Sequence, residues 1–364
     1  MSSDFGKTLR ITIFGESHGR GIGCVISGLP AGERIDGEAL QAFMARRAPG
    51  MSPLATPRKE ADVPVWLSGM VGDLTTGSPL CAIIENHDQH SADYEALKDK
   101  PRPGHADYTA FIKWQGQADM RGGGHFSGRL TAPLCIAGGI AKQILARRGI
   151  YVGAHLASVG SCEDASFPML PTRELFAELA AKPFPVLDDR AGDGMQQTIT
   201  LAAAEGDSIG GTIECMAIGL PAGVGSPMFD GIENRLAAAL FGIPAVKGLE
   251  FGSGFFGSTR RGSANNDPFT MDNGKITALT NHAGGILGGI TTGLPIRLRV
   301  AIKPTPSIKQ PQGTVSLSKM EDTELIITGR HDPCIALRAV PVVEAVTAAV
   351  LLDLLLEDSH HGLK

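Results

Sequence analysis

The chain has 364 residues, 43% hydrophobic and 20% charged, which allows a sizeable buried core in two domains or one large one and argues against wholesale disorder. Its formal net charge of −5 argues against a general nucleic-acid binder, which is normally basic, while leaving room for a local basic pocket. Glycine supplies 47 residues and aromatics only 5%, so many positions serve turns and close backbone approaches rather than large core rings.

A strand pattern begins near Leu9, so no signal or transit peptide is expected ahead of it. Residues 15–32 then read G-E-S-H-G-R-G-I-G-C-V-I-S-G-L-P-A-G, and residues 206–223 read G-D-S-I-G-G-T-I-E-C-M-A-I-G-L-P-A-G. Ten of these eighteen positions are identical, at a constant offset of 191 residues. Asp36-Gly37 and Asp230-Gly231 follow the two copies, and each Asp is placed to N-cap a helix, Glu38–Arg47 or Ile232–Phe241. Pro49-Gly50 and Gly242 with Pro244 supply the stops. Each copy reads as strand, glycine-rich loop, strand, turn and helix, which predicts two related halves about a pseudo-twofold axis. His18 faces Ile209 across the repeat, and Arg46 and Arg47 face Leu240 and Phe241. The first copy is therefore the candidate chemical copy.

Cys81–Asn86, Thr198–Ala203 and Leu294–Ile302 read as strands, Ala132–Arg147 and Arg173–Lys182 as helices. Stretches 49–62, 255–275 and 303–322 have no clear period and read as long loops. The apolar run Ala339–Leu356 is broken by Pro341, Glu344 and Asp353, which favours a core or interface helix over a membrane span. The six cysteines form no C-x-x-C pair and mostly sit in apolar runs, as expected of buried thiols in a reduced, cytoplasmic protein.

Four histidines lie in short glycine-punctuated loops, each within four residues of an arginine: His18, His105, His125 and His331. Imidazole exchanges protons near neutral pH, and guanidinium offers a fixed fork to carboxylate or phosphate. Together they point to a site for a small polyanion. No helical metal-binding spacing is present, and His87-x-x-His90 has no cysteine partner nearby, so no metal is expected. The loop Arg121-Gly122-Gly123-Gly124 precedes an apolar helix and offers backbone amides to an anion, or is simply a tight turn. Lys303-Pro304-Thr305-Pro306-Ser307 presents one cation and two hydroxyls on a rigid strand exit, which suits a phosphate, or is an ordinary strand exit. Rossmann, P-loop and nucleophile-elbow patterns are absent.

G-E-S-H-G, R-P-G-H-A-D, R-G-G-G, N-H-A-G-G-I-L-G-G-I, K-P-T-P-S and G-R-H-D-P-C run in this order from residue 15 to residue 334. In order and spacing the set resembles the chorismate synthase family. The resemblance implies an α+β fold, a β-α-β sandwich with helices between two antiparallel sheets, formed by one domain over 1–364 with duplicated units near 8–50 and 199–245. It implies a lyase that converts 5-enolpyruvylshikimate 3-phosphate to chorismate and phosphate by 1,4-anti elimination. Reduced FMN is required, and NADPH is a candidate reductant. It further implies a homotetramer acting on a small molecule, with neither nucleic acid nor membrane as partner.

By the same resemblance His18, His105 and Asp332 are the catalytic set. Ser17, Arg47, Arg102, Ser127, Arg129 and Arg330 match substrate-holding positions. His125, Phe126, Ser127, Ala264, Asn265, Gly288, Lys303, Pro304, Thr305, Pro306, Ser307 and Arg330 match flavin-holding positions. Where the family commonly reads R-S-S-A-R-E-T, this chain has His125-Phe126-Ser127-Gly128-Arg129-Leu130-Thr131, so an arginine has become His125. The alternative is a non-catalytic binder of anionic metabolites. It would keep the arginines without the histidines and Asp332, all of which are present.

Overall fold

A layer of helices separates two five-stranded antiparallel sheets. The computed structural model describes residues 3–48, 62–86, 99–327 and 331–360. The first sheet runs Asp4–Phe5, Arg10–Gly15, Gly21–Ser27, Leu80–Glu85, Val65–Ser68, and the second runs Val246–Phe251, Ile296–Ile302, Gly211–Ile218, Tyr151–Val159, Cys162–Glu163. Thr131–Arg147 packs on the first sheet, Ala336–His360 packs on the second, and the two helices pack on each other. This is the α+β sandwich that the resemblance implied.

Local chemistry explains these elements. Ile296, Leu298, Val300 and Ile302 alternate with half-buried residues, the period-2 pattern of a strand with one face on a core. Asp36 caps Gly37–Arg47 by accepting from the Ala39 amide at 3.0 Å. Gly138 lets the two central helices cross closely, since a Cβ there would lie 2.3 Å from the Ala345 α-carbon.

The two acids that interrupt the apolar run are both anchors. Glu344 accepts from Arg46 at 2.6 and 3.0 Å and from Lys142. Burial alone would raise its carboxyl, but the two cations pull it down to about 2. Asp353 accepts the Thr8 and Leu9 amides at 2.9 and 2.7 Å and pairs with Arg235, tying the N-terminal segment to the last helix. That helix is long and apolar enough to span a membrane by composition, yet 89% of its apolar window is buried.

Three expectations are corrected. Thr198–Ala203 is not a strand but the last part of a helix, Asp189–Ala204. That helix starts at the Asp188 cap and buries Gly192, Met195 and Ile199 at helical spacing, which overrides the β-branched local text. Asp230 does not cap the second-copy helix; its carboxylate pairs with Lys7 at 2.8 Å, and Gly231 occupies the cap. The stretches 255–275 and 303–322 contain structure, including the hairpins Phe269–Asp272 with Lys275–Ala278 and Gln312–Ser316 with Glu321–Leu325. Pro49-Gly50, the rest of 49–61, His87, His90 and Arg330 lie outside the described residues.

Beneath the second sheet, His155 is fully buried between two carboxylates, 2.9 Å from Asp164 and 3.0 Å from Glu214. Burial alone would lower the imidazole pKa, but the two acids outweigh it and raise it above the ordinary value. A raised folded-state value stabilises fully below the unfolded value of about 6.5 and loses that stabilisation as pH climbs through the raised value. The expected outcome is an unfolding midpoint that declines on the alkaline side, a decline that His155→Ala flattens. The same variant lowers stability by about 3–5 kcal/mol, because two buried acids lose their shared partner. Chemical denaturation across pH checks this; parallel profiles for the two proteins would contradict it.

Candidate active site

The loop between Arg10–Gly15 and Gly21–Ser27 carries Ser17 and His18, both buried. It is braced from the side by Asn86, whose amide donates to the Glu16 and Gly19 carbonyls at 3.2 and 3.0 Å. The triple-glycine loop faces it. Instead of presenting amides at a helix start, Gly122, Gly123 and Gly124 take φ of 61°, 89° and 55° and lend bare α-carbons to two imidazoles. A Cβ on Gly122 would lie 2.0 Å from His18 Nδ1, and one on Gly123 would lie 3.2 Å from His105 Nε2. Only glycine permits both the backbone and the contact at position 122.

Among the described residues, Arg47, Arg102 and Arg129 are each fixed from behind by a carboxylate. Arg102 makes a two-pronged contact with Asp107, at 2.6 and 2.8 Å. Asp107 Oδ1 also lies 2.7 Å from His105 Nδ1, so that nitrogen donates the proton and Nε2 is left toward the glycine loop. Burial alone would raise the Asp107 carboxyl, but Arg102 and His105 hold it far below the usual range. Arg47, only 1% exposed, donates to Asp62 at 2.7 Å and to Thr131 at 3.2 Å. Arg129 donates to the other Asp62 oxygen and to Asn86 at 3.2 Å. Asp62 thus bridges two guanidinium groups, from a left-handed backbone at φ 49°. Lys303 donates to the Gly104 carbonyl, and its pKa is lowered by burial and by nearby Lys247.

These groups meet at a cavity of about 980 Å³. Its wall includes His105 and Asp332, the cations Arg47, Arg102 and Arg129, and Ser127. His125, Phe126, Lys303, Thr305, Pro306 and Ser307 also border it. Pro304 sits between bordering residues without reaching the wall. His18 and Ser17 lie directly behind Gly122, which does border the cavity. His125 donates from Nδ1 to the Gly15 carbonyl at 2.8 Å and accepts from Ser3 at 2.9 Å, so it links the N-terminal strand to the His18 loop. Ala264, Asn265 and Gly288 lie away from the cavity. The first two are in a short helix whose Asn265 side chain bonds to Ser253 at 3.1 Å, and Gly288 turns a two-stranded hairpin at φ 61°.

Across the repeat, Arg47 and Phe241 both border the cavity. The first copy contributes a cation and the second an apolar surface, continued by Ala238, Ala239 and Ile243. Arg46, by contrast, points to Glu344 and serves the core. Asp62, Asn86 and Arg338 are the site residues that sequence reasoning missed; Asp62 stood in an aperiodic charged stretch, and Asn86 looked like a strand end. Cys24, Cys135 and Cys215 are buried, and burial pushes their thiols up, to about 12 for the last two, which disfavours the reactive thiolate.

A profile of the chorismate synthase family matches residues 9–356. The chorismate synthase of Thermococcus gammatolerans is 49% identical over 352 residues, covering 96% of this chain and 97% of that protein. That of Lancefieldella parvula is 46% identical, covering 98% of this chain and 96% of its own. A crystal structure of chorismate synthase superposes with a TM-score of 0.77 at 28% identity, over 97% of this chain and 93% of that one. The chain therefore belongs to the chorismate synthase family and is a lyase of the shikimate pathway acting on a small-molecule substrate.

Proposed function

We propose that the enzyme converts 5-enolpyruvylshikimate 3-phosphate to chorismate and phosphate by 1,4-anti elimination, with reduced FMN bound beside the substrate. The observation that carries this reading is a single cavity joining carboxylate-braced cations, the His105 imidazole at the wall with that of His18 just behind it, and an apolar face. A substrate with one phosphate and two carboxylates needs several cations, and Arg47, Arg102, Arg129 and Lys303 supply them locally despite the net charge of −5.

The residues fit a flavin. The volume is at the upper end for a small-molecule site. Phe126, Leu134 and Ile243 offer apolar contact to a flat ring, and Lys303, Thr305 and Ser307 offer a phosphate seat. When bound, reduced FMN supplies electron density to the substrate ring and takes up the ring hydrogen, with no net redox change. The protein does the rest. Arg47 and Arg129 orient the anionic groups. His18, beside Gly122, is the group that would give a proton to the departing phosphate, directly or through one water. His105, fixed by Asp107, presents Nε2, and Asp332 presents its carboxylate.

The assembly belongs to the same reading: one duplicated domain per chain and four chains in the cytoplasm, with NADPH the candidate source of flavin electrons. Phe255, Phe256, Phe269 and Ile276 are 64–81% exposed on one chain, as subunit contacts are before assembly. Ala264, Asn265 and Gly288 fit it too if a neighbouring subunit's loops complete each flavin site.

Anaerobic incubation with the enolpyruvyl substrate tests the reaction. Phosphate and the conjugated diene are expected with reduced FMN, and neither with oxidised FMN or none; equal turnover in all three refutes it. Gly122→Ala is expected to lower kcat about 100-fold in a folded protein, since an atom 2.0 Å from Nδ1 must displace His18. Steady-state kinetics beside circular dichroism reads this, and a parental kcat would contradict the placement of His18.

A further inference from the structure

One guanidinium on the cavity wall belongs to none of the motifs. Arg338, near the start of Ala336–His360, donates from Nη1 to Asp332 Oδ2 at 2.6 Å and from Nε to the Arg47 backbone carbonyl at 3.0 Å. Thr305 secures the other end of Asp332 by donating to its backbone carbonyl at 2.9 Å. A continuous chain of hydrogen bonds therefore runs from Arg129 through Asp62 and Arg47 to Arg338, Asp332 and Thr305. Arg338 also borders a second cavity of about 230 Å³ between Ala42–Ala48 and Ala180–Pro185, so its side chain forms part of the partition between the two.

We propose that Arg338 is a positioning residue that fixes the Asp332 carboxylate relative to Arg47, and so couples the catalytic acid to the substrate-holding arginines. This rests on the reading of Asp332 as a catalytic group. The geometry suits an arginine. Two acceptors, a carboxylate and a backbone carbonyl, are met by two different nitrogens of one rigid planar group, whereas a lysine would have to serve both from a single nitrogen on a flexible stem. The side chain is 21% exposed, so its loss leaves a gap that small solutes can enter from either cavity.

A double-variant cycle tests the proposal. Asp332→Asn and Arg338→Ala are each expected to lower kcat about 100-fold, with the affinity for oxidised FMN, read by fluorescence, within about threefold of the parent. The double variant is expected to stay within about threefold of the worse single variant, because Arg338 acts through Asp332. Methylguanidinium is expected to restore part of the loss in Arg338→Ala and none in Asp332→Asn. Multiplying losses, or a parental kcat in Arg338→Ala, would overturn the proposal. A parental kcat in Asp332→Asn would overturn the catalytic reading of Asp332 first, and the proposal with it. If Arg338→Ala yields no folded protein, the same cycle is run on Arg338→Lys, which keeps the charge and is expected to lose about tenfold.

Discussion

His18→Ala is expected to lower kcat by about 10²–10⁴-fold while the KM for the enolpyruvyl substrate changes only a few-fold. Phosphate leaving a carbon needs a proton as the bond breaks, and a general acid stabilises the transition state far more than the bound ground state. The proposed role is supported by the position of His18, buried beside the cavity. The ring is 4% exposed and lies against Gly122, a residue that itself borders the cavity. Steady-state kinetics measures both constants; an unchanged kcat with a raised KM would assign His18 to binding instead.

Asp62→Ala is expected to cost about 3–5 kcal/mol of stability and to raise the substrate KM at least tenfold. The carboxylate lies between Arg47 and Arg129, and its side chain has no exposure. Without it two buried cations repel across a small space. A further signature separates this electrostatic role from simple packing. Inorganic phosphate should raise the unfolding midpoint of Asp62→Ala more than that of the parent, since an anion can replace the missing charge. Thermal unfolding over a phosphate titration reads the effect, and equal slopes would contradict it.

The duplicated glycine-rich text, the Asp36 cap and the His–Arg loops were legible because they depend on local chemistry or on motif order. Loops 200 residues apart could be assigned to one site through their shared residue types, and the cavity draws on most of them. Asp62 was not legible, because a lone acid in a charged aperiodic stretch looks solvated; only the fold brings Arg47 and Arg129 to it. Nor were the different duties of Arg46 and Arg47. Adjacent residues on a helix point about 100° apart, so one faces Glu344 in the core and the other faces the cavity. The 198–203 segment failed for the opposite reason: its β-branched residues resemble a strand, while the signal that decides it, the Asp188 cap, lies ten residues upstream.

The most direct test of the central claim is a crystal structure of the enzyme with oxidised FMN and the enolpyruvyl substrate. The flavin ring and the substrate should lie together in the 980 Å³ cavity, with the phosphate ester over Gly122 toward His18 and the carboxylates against the arginines. Either ligand seated elsewhere, with this cavity holding only solvent, would contradict the account.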